Sequence, residues 1–197
     1  MIKKIVVATT SKHKQEEIKS LLKDLGIEVI PMTFFKEYPK TIEDGKTLKD
    51  NAIKKAKEAA RFFNSWVISD DSGLEVDYLN GAPGVLSARY AGKDCLFKDN
   101  IKKLLNTLKD VSFEKRAAKF RTIIAIADPS GKLYLSEGEI YGIISPVERG
   151  LYNFGYDPIF YIPHYNKTFA ELPPEVKNTI SHRAKALQKA KVILKKL

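Results

Sequence analysis

Asp70 and Asp71 stand side by side after a short apolar run, Trp66-Val67-Ile68. Adjacent carboxylates repel one another, and a divalent cation is one common relief, hard oxygen ligands suiting magnesium. The tetrapeptide Asp70-Asp71-Ser72-Gly73 is also ordinary turn composition, so two readings stand for it. The expected local order is a strand over residues 66–68 that breaks at the two acids, then a turn at Ser72 and Gly73. A half-exposed strand follows, with Leu74, Val76 and Tyr78 alternating with Glu75 and Asp77, and residues 80–84 turn the chain again.

Three other stretches carry chemistry. Residues 5–8 read as a buried strand running into Thr9-Thr10-Ser11, ahead of a helix marked by Ile18, Leu21, Leu22 and Leu25. Free N–H groups at such a helix start bind phosphate oxygens, and Lys12 and Lys14 add positive charge there. The plainer alternative is that Ser11 is an N-cap and the lysines face solvent. Glu43 and Asp44 precede a helix start, where acids are the default. Residues 153–161 pack aromatics around Gly155, Asp157 and Pro158. Such a cluster is either core or a sandwich for a flat ring, with Asp157 accepting from ring N–H groups. Ser181 would cap the last helix and place His182 and Arg183 in its first turn, which suits a bound anion or a salt bridge.

The elements that must position these residues form an α/β pattern. Residues 27–30 read as a second strand, and residues 31–45 as a long loop. Thr47-Leu48-Lys49-Asp50 fits a capping box, opening a helix with Leu48, Ala52, Ala56, Ala59, Ala60 and Phe63 on one face. Phe97, Ile101, Leu104, Leu105 and Leu108 mark another helix. Residues 117–127 and 132–144 read as strands joined by a turn at 128–131, so the sheet is expected to be mixed. Pro173 and Pro174 are expected to interrupt any helix there.

The 197 residues suffice for one α/β domain or two closely joined lobes. No apolar run is long enough to cross a bilayer, and residues 1–4 lead into a strand-like segment without a signal peptide's apolar stretch. A single cysteine, Cys95, excludes an intramolecular disulfide. The cytoplasm is therefore the expected compartment. The net charge of +10 favours an anionic partner, but its lysines are scattered along helix faces, which makes a solvated surface the better reading than a nucleic-acid site.

With these segments in view, the sequence resembles the inosine triphosphate pyrophosphatase family over almost the whole chain. The matching pieces are residues 9–14 with Glu17, 43–56, 69–74, 81–84 with 87–90, 154–158 and 181–183. The resemblance implies a single domain over residues 1–197 with an elongated mixed central β-sheet flanked by helices, two lobes with a nucleotide cleft between them, and a homodimer. It implies that Thr9, Thr10, Ser11, Lys12, His13 and Lys14 hold the triphosphate of a nucleoside triphosphate substrate. Glu43 and Asp71 would bind magnesium, with Asp71 the general base. Ser72 would touch substrate, Phe154, Gly155, Tyr156 and Asp157 would frame the base, and Lys177, His182 and Arg183 would reach base or phosphates. Two departures stand out: Thr10 and Ser11 replace the family's usual Gly-Asn, and Asn153 replaces a usual glycine.

The implied reaction is magnesium-dependent hydrolysis of deaminated purine nucleoside triphosphates to monophosphate and pyrophosphate, with no membrane association and no stable nucleic-acid partner. Maf-like nucleotide pyrophosphatases are the nearest rival, and residues 154–158 and 181–183 argue against them. A basic nucleic-acid-binding module rests on pI alone, and a catalytically silent nucleotide binder is disfavoured because every charged motif residue is present.

Overall fold

The short apolar runs become strands and the amphipathic stretches become helices in the computed structural model, which describes residues 2–35, 37–39, 41–151 and 154–197. β1 (Lys4–Val7) leads to helix α1 (Lys12–Leu22), β2 (Glu28–Pro31), α2 (Leu48–Phe63) and β3 (Val67–Val76). α3 (Phe97–Thr107), β4 (Ala117–Ala127) and β5 (Leu133–Ile144) follow. The chain ends with β6 (Phe160–Ile162), β7 (Lys167–Thr168), α4 (Pro174–Ile180) and α5 (His182–Leu194). One seven-stranded sheet runs in the order β2-β1-β3-β4-β5-β6-β7. β1 is parallel to both β2 and β3, whereas β6 is antiparallel to β5 and β7, giving the expected mixed sheet.

Two compact units divide the chain. The first comprises Met1–Asp71, Thr122–Gly138 and Lys185–Leu197, and the second Ser72–Arg121 and Glu139–Ala184. In the first, Ile5, Val7 and Ile68 pack with Ile18 and Leu22 of α1 and with Leu187, Ala190 and Leu194 of α5. In the second, Leu74, Val76 and Phe120 pack with Ile101 and Leu104 of α3 and with Phe160 and Phe169. Leu187 and Leu194 are on the apolar face predicted from the last helix's spacing.

The predicted capping box at the start of α2 is present: the Thr47 hydroxyl accepts from the Asp50 N–H, and the Asp50 carboxylate accepts from the Thr47 N–H. Ser181 caps α5 by accepting from the Ala184 N–H. Three local expectations fail, one at the end of β3: the strand stops at Val76, and Asp77–Leu79, expected to continue it, form a 3-10 helix. β3 runs unbroken through Asp70, Asp71, Ser72 and Gly73 instead of turning there. Turn composition is overridden because the polar groups find partners off the strand: Ser69 Oγ donates to the Ala52 carbonyl, and the Leu74 N–H donates to Ser87 Oγ. Pro174, expected to interrupt a helix, instead occupies the first turn of α4, where its missing N–H costs nothing.

Gly150 lies just before the aromatic stretch, with φ +89°, and a Cβ there would come within 2.3 Å of the Ala170 carbonyl carbon. Strain and overlap coincide. Gly150→Ala is expected to destabilise the protein by more than about 1 kcal/mol in urea unfolding, and an unchanged midpoint would show that this loop relaxes freely.

Candidate active site

The predicted residues fall into two groups, one in each unit. In the first unit, β1 ends at Val7, while β3, parallel to it, is paired with it only through Ile68. β3 therefore carries Asp70 and Asp71 beyond the end of β1, level with the chain that leaves toward α1. That is the carboxyl end of a parallel strand, where α/β sheets place ligands.

Successive strand side chains point to opposite faces, so the two aspartates part company. Lys14 Nζ lies 2.7 Å from Asp70 Oδ2, and Asp70 is 1% exposed. Asp71 meets α2 instead: Lys55 Nζ is 3.3 Å from Asp71 Oδ1, and Asn51 Nδ2 donates to Asp71 Oδ2 at 3.2 Å. The same Lys55 ammonium is 2.7 Å from Glu43 Oε1. Asn51 is itself fixed, its Oδ1 accepting from the Gly45 N–H at 2.8 Å, and a Cβ on Gly45 would lie only 2.6 Å from that oxygen.

Burial pushes the Asp71 carboxyl above the usual range; Lys55 pulls it back, Glu43 pushes it up further, and the net shift is upward. Burial pulls Lys55 down, but Asp71, Asp70 and Glu43 together outweigh it and hold the amine in its charged form. Glu43, Asp70 and Asp71 thus share the two ammonium groups of Lys14 and Lys55.

Ser11 occupies the N-cap position of α1, but its hydroxyl makes no capping bond. Its N–H donates to Thr9 Oγ1 at 3.3 Å, and Gln15 Nε2 donates to the Thr9 carbonyl at 2.7 Å, which pins the loop. Lys12 and His13 are exposed, with His13 Nδ1 3.6 Å from Glu17 Oε1, whereas Lys14 is half-buried in its pair with Asp70. A cavity of about 70 Å³ opens beside this loop, lined among others by Thr9, Thr10, Glu43 and Lys55.

The second group begins at Ser72, directly after Asp71 in β3. Gly155, at φ +58°, allows the turn that presents Phe154. Phe154 is 39% exposed; its ring lies 6.3 Å from the Phe97 ring and has the Arg183 guanidinium carbon 5.9 Å from its centroid. His182 stacks on Phe120 at 4.8 Å and 16°. Lys177 Nζ bonds to Asp157 Oδ2, and Asp157 is buried. Tyr156 is also buried, and its hydroxyl donates to the Ser87 carbonyl at 2.8 Å, so its polar atom is spent inside the fold. Asn153 lies outside the described residues.

Sequence reasoning passed over Lys55, Asn51 and Phe97. Asn51 and Lys55 are four residues apart, hence on one face of α2, beside the predicted Ala52 and Ala56 stripe. That spacing was the available signal, although Lys54 and Lys57 offer the same residue type nearby.

The sheet and the motifs define an α/β protein of the Ham1 family: the family's model matches residues 5–193, and the chain belongs to it. A protein from Desulforamulus reducens named dITP/XTP pyrophosphatase is 50% identical over 194 residues, covering 98% of this chain and 96% of its own. A solved HAM1 protein from Coxiella burnetii superposes with a TM-score of 0.93 at 40% identity, covering 100% of both chains. The Staphylococcus aureus Ham1 structure gives 0.91 at 39%, covering 98% of this chain and 99% of its own. The resemblance read from the motifs is thereby borne out.

Removing the ammonium from a buried carboxylate is expensive. Lys14→Met is expected to lower stability by about 3 kcal/mol, and adding Asp70→Asn to regain much of that loss. Urea unfolding of both single variants and the double variant measures the coupling, and simple additivity would mean that the pair does not hold this corner of the fold.

Proposed function

We propose that this chain hydrolyses deaminated purine nucleoside triphosphates, ITP, dITP and XTP, to the nucleoside monophosphate and pyrophosphate in a magnesium-dependent reaction that clears them from the nucleotide pool. The observation that carries the reading is the meeting of Glu43 and Asp71 on one ammonium group, beside a cavity lined by Thr9 and Thr10. Near-identical length and 50% identity to a relative named dITP/XTP pyrophosphatase support the substrate class. The proposal takes the enzyme as a single domain over residues 1–197, cytoplasmic and homodimeric. Among the described residues no helix is long and apolar enough to cross a membrane.

The donor set fits magnesium. Glu43 and Asp71 converge on one ammonium group, so two carboxylates already lie within reach of a single cation. Among the described residues no three His, Cys, Asp or Glu side chains form a metal cage, and magnesium commonly takes only one or two carboxylates together with substrate phosphates. Glu43 and Asp71 would hold the ion. Bound there, it would neutralise phosphate charge and make a bound water more acidic.

The chain's own groups supply the rest. Asp71 accepts the proton of the attacking water, and burial makes it a better base than an exposed aspartate. Lys14, Lys55 and the N–H groups that open α1 stabilise charge on the phosphates. Serine at position 11 still donates to a phosphate oxygen, at shorter reach than the family's usual asparagine. Phe154 offers a face to the purine, Arg183, His182 and Lys177 supply donors for a 6-oxo group, and Asp157 accepts from ring N–H groups. Tyr156 positions this segment through its bond to Ser87. An adenine 6-amino group would leave those donors unpaired, a mismatch of the kind that costs about four orders of magnitude in specificity.

The test is release of pyrophosphate and orthophosphate from ITP, XTP, ATP and GTP, with magnesium and with chelator. Metal-dependent pyrophosphate from the first two alone is the expected result, and orthophosphate alone would sink the reading. Asp71→Asn is expected to abolish turnover while thermal unfolding stays cooperative; full retained activity would remove Asp71 from the mechanism.

A further inference from the structure

The cavity beside Thr9 and Thr10 has a far wall that the reaction above does not use. Tyr38 and Thr41 line it together with Thr9, Thr10, Glu43 and Lys55, and the Tyr38 and Thr41 hydroxyls lie 2.9 Å apart. A hydroxyl pair brings two protons and spends one within the pair, so one O–H remains to donate outward. Tyr38 is held by its ring, 5.1 Å from Phe62 and 5.0 Å from Phe63, so the hydroxyl pair sits on a packed support rather than on a free loop. Its phenol stays protonated, burial raising it above the ordinary tyrosine value.

The cavity's volume, about 70 Å³, is room for about two water molecules. So narrow a space suits a small anionic group better than a ribose or a purine. Of the three phosphoryl groups of a triphosphate, only the terminal one is joined to the rest of the molecule on a single side, so it alone can fill such a space end-on. Its oxygens would meet the Lys55 ammonium, the Thr9 and Thr10 hydroxyls and the spare proton of the Tyr38–Thr41 pair.

We propose that Tyr38 and Thr41 form a hydroxyl clamp for the terminal phosphoryl group of the substrate, and for the pyrophosphate it becomes, making them positioning residues that select triphosphates over shorter nucleotides. The proposal rests on the triphosphate reading given above. Hydrogen bonds to charged groups are among the stronger ones, so loss of this donor is expected to cost about tenfold in pyrophosphate affinity.

Calorimetric binding of inorganic pyrophosphate and of inosine monophosphate, each with magnesium, tests it on wild type, Tyr38→Phe and Thr41→Val. Tyr38→Phe keeps the ring against Phe62 and Phe63, and equal thermal midpoints check that it folds. The expected result is about tenfold weaker pyrophosphate binding in both variants, unchanged monophosphate binding, and a raised KM for triphosphate at nearly constant kcat. Unchanged pyrophosphate affinity, or equal weakening toward the monophosphate, would overturn the clamp. Wild-type protein that hydrolyses dITP while the variants bind pyrophosphate normally would sink the clamp alone. Tyr38-dependent pyrophosphate binding without any triphosphate hydrolysis would support the clamp and sink the activity.

Discussion

Two adjacent aspartates on one strand set the terms for everything around them. Had β3 turned at Asp70, both carboxylates would have shared one solvated corner. Because it stays extended, they leave on opposite faces and each needs its own cation. Lys14 must come from the first turn of α1 and Lys55 from the second turn of α2, so the two helices that flank β1 and β3 are tied to the same point. Placing cations at the start of α1 runs against the helix dipole. The buried charge of Asp70 offsets that cost for Lys14, and an anionic ligand at the same helix start would offset it for Lys12.

The cluster is poor design for stability alone. Buried ion pairs roughly break even against apolar packing, so the pairs of Lys14 with Asp70 and of Lys55 with Asp71 bring little stability of their own. Local rules broken without a structural gain usually mark a working site. The apolar contacts elsewhere in the first unit, Ile5, Val7 and Ile68 against the leucines of α1 and α5, supply the stability that permits it. In the second unit the aromatic residues divide between roles: Tyr156, Phe160 and Phe169 are core, whereas Phe154 and its neighbour Phe97 keep partly open faces.

The α/β pattern, the capping box of α2, the cap of α5 and the long β4 and β5 strands were legible because each rests on local periodicity or a short-range side-chain bond. The path of β3 was not, since Asp-Asp-Ser-Gly is turn composition and its partners at Ala52 and Ser87 are distant in sequence. Asp71 was marked locally by its adjacency to Asp70, but its meeting with Glu43 was legible only through the family motifs, since nothing local marks the two as neighbours. Lys55 was illegible because lysines crowd α2 and only the fold selects the one that faces Asp71. Pro174 was misread because a proline that breaks a helix and one that opens a helix are the same residue until the preceding turn is known.

The central claim is that the water held near Asp71 attacks the phosphorus nearest the ribose. Hydrolysis of dITP in water enriched in oxygen-18, followed by mass analysis of both products, tests that directly. The account predicts one heavy oxygen in the nucleoside monophosphate and none in the pyrophosphate. Label in the pyrophosphate instead would mean attack at the middle phosphorus and would contradict it.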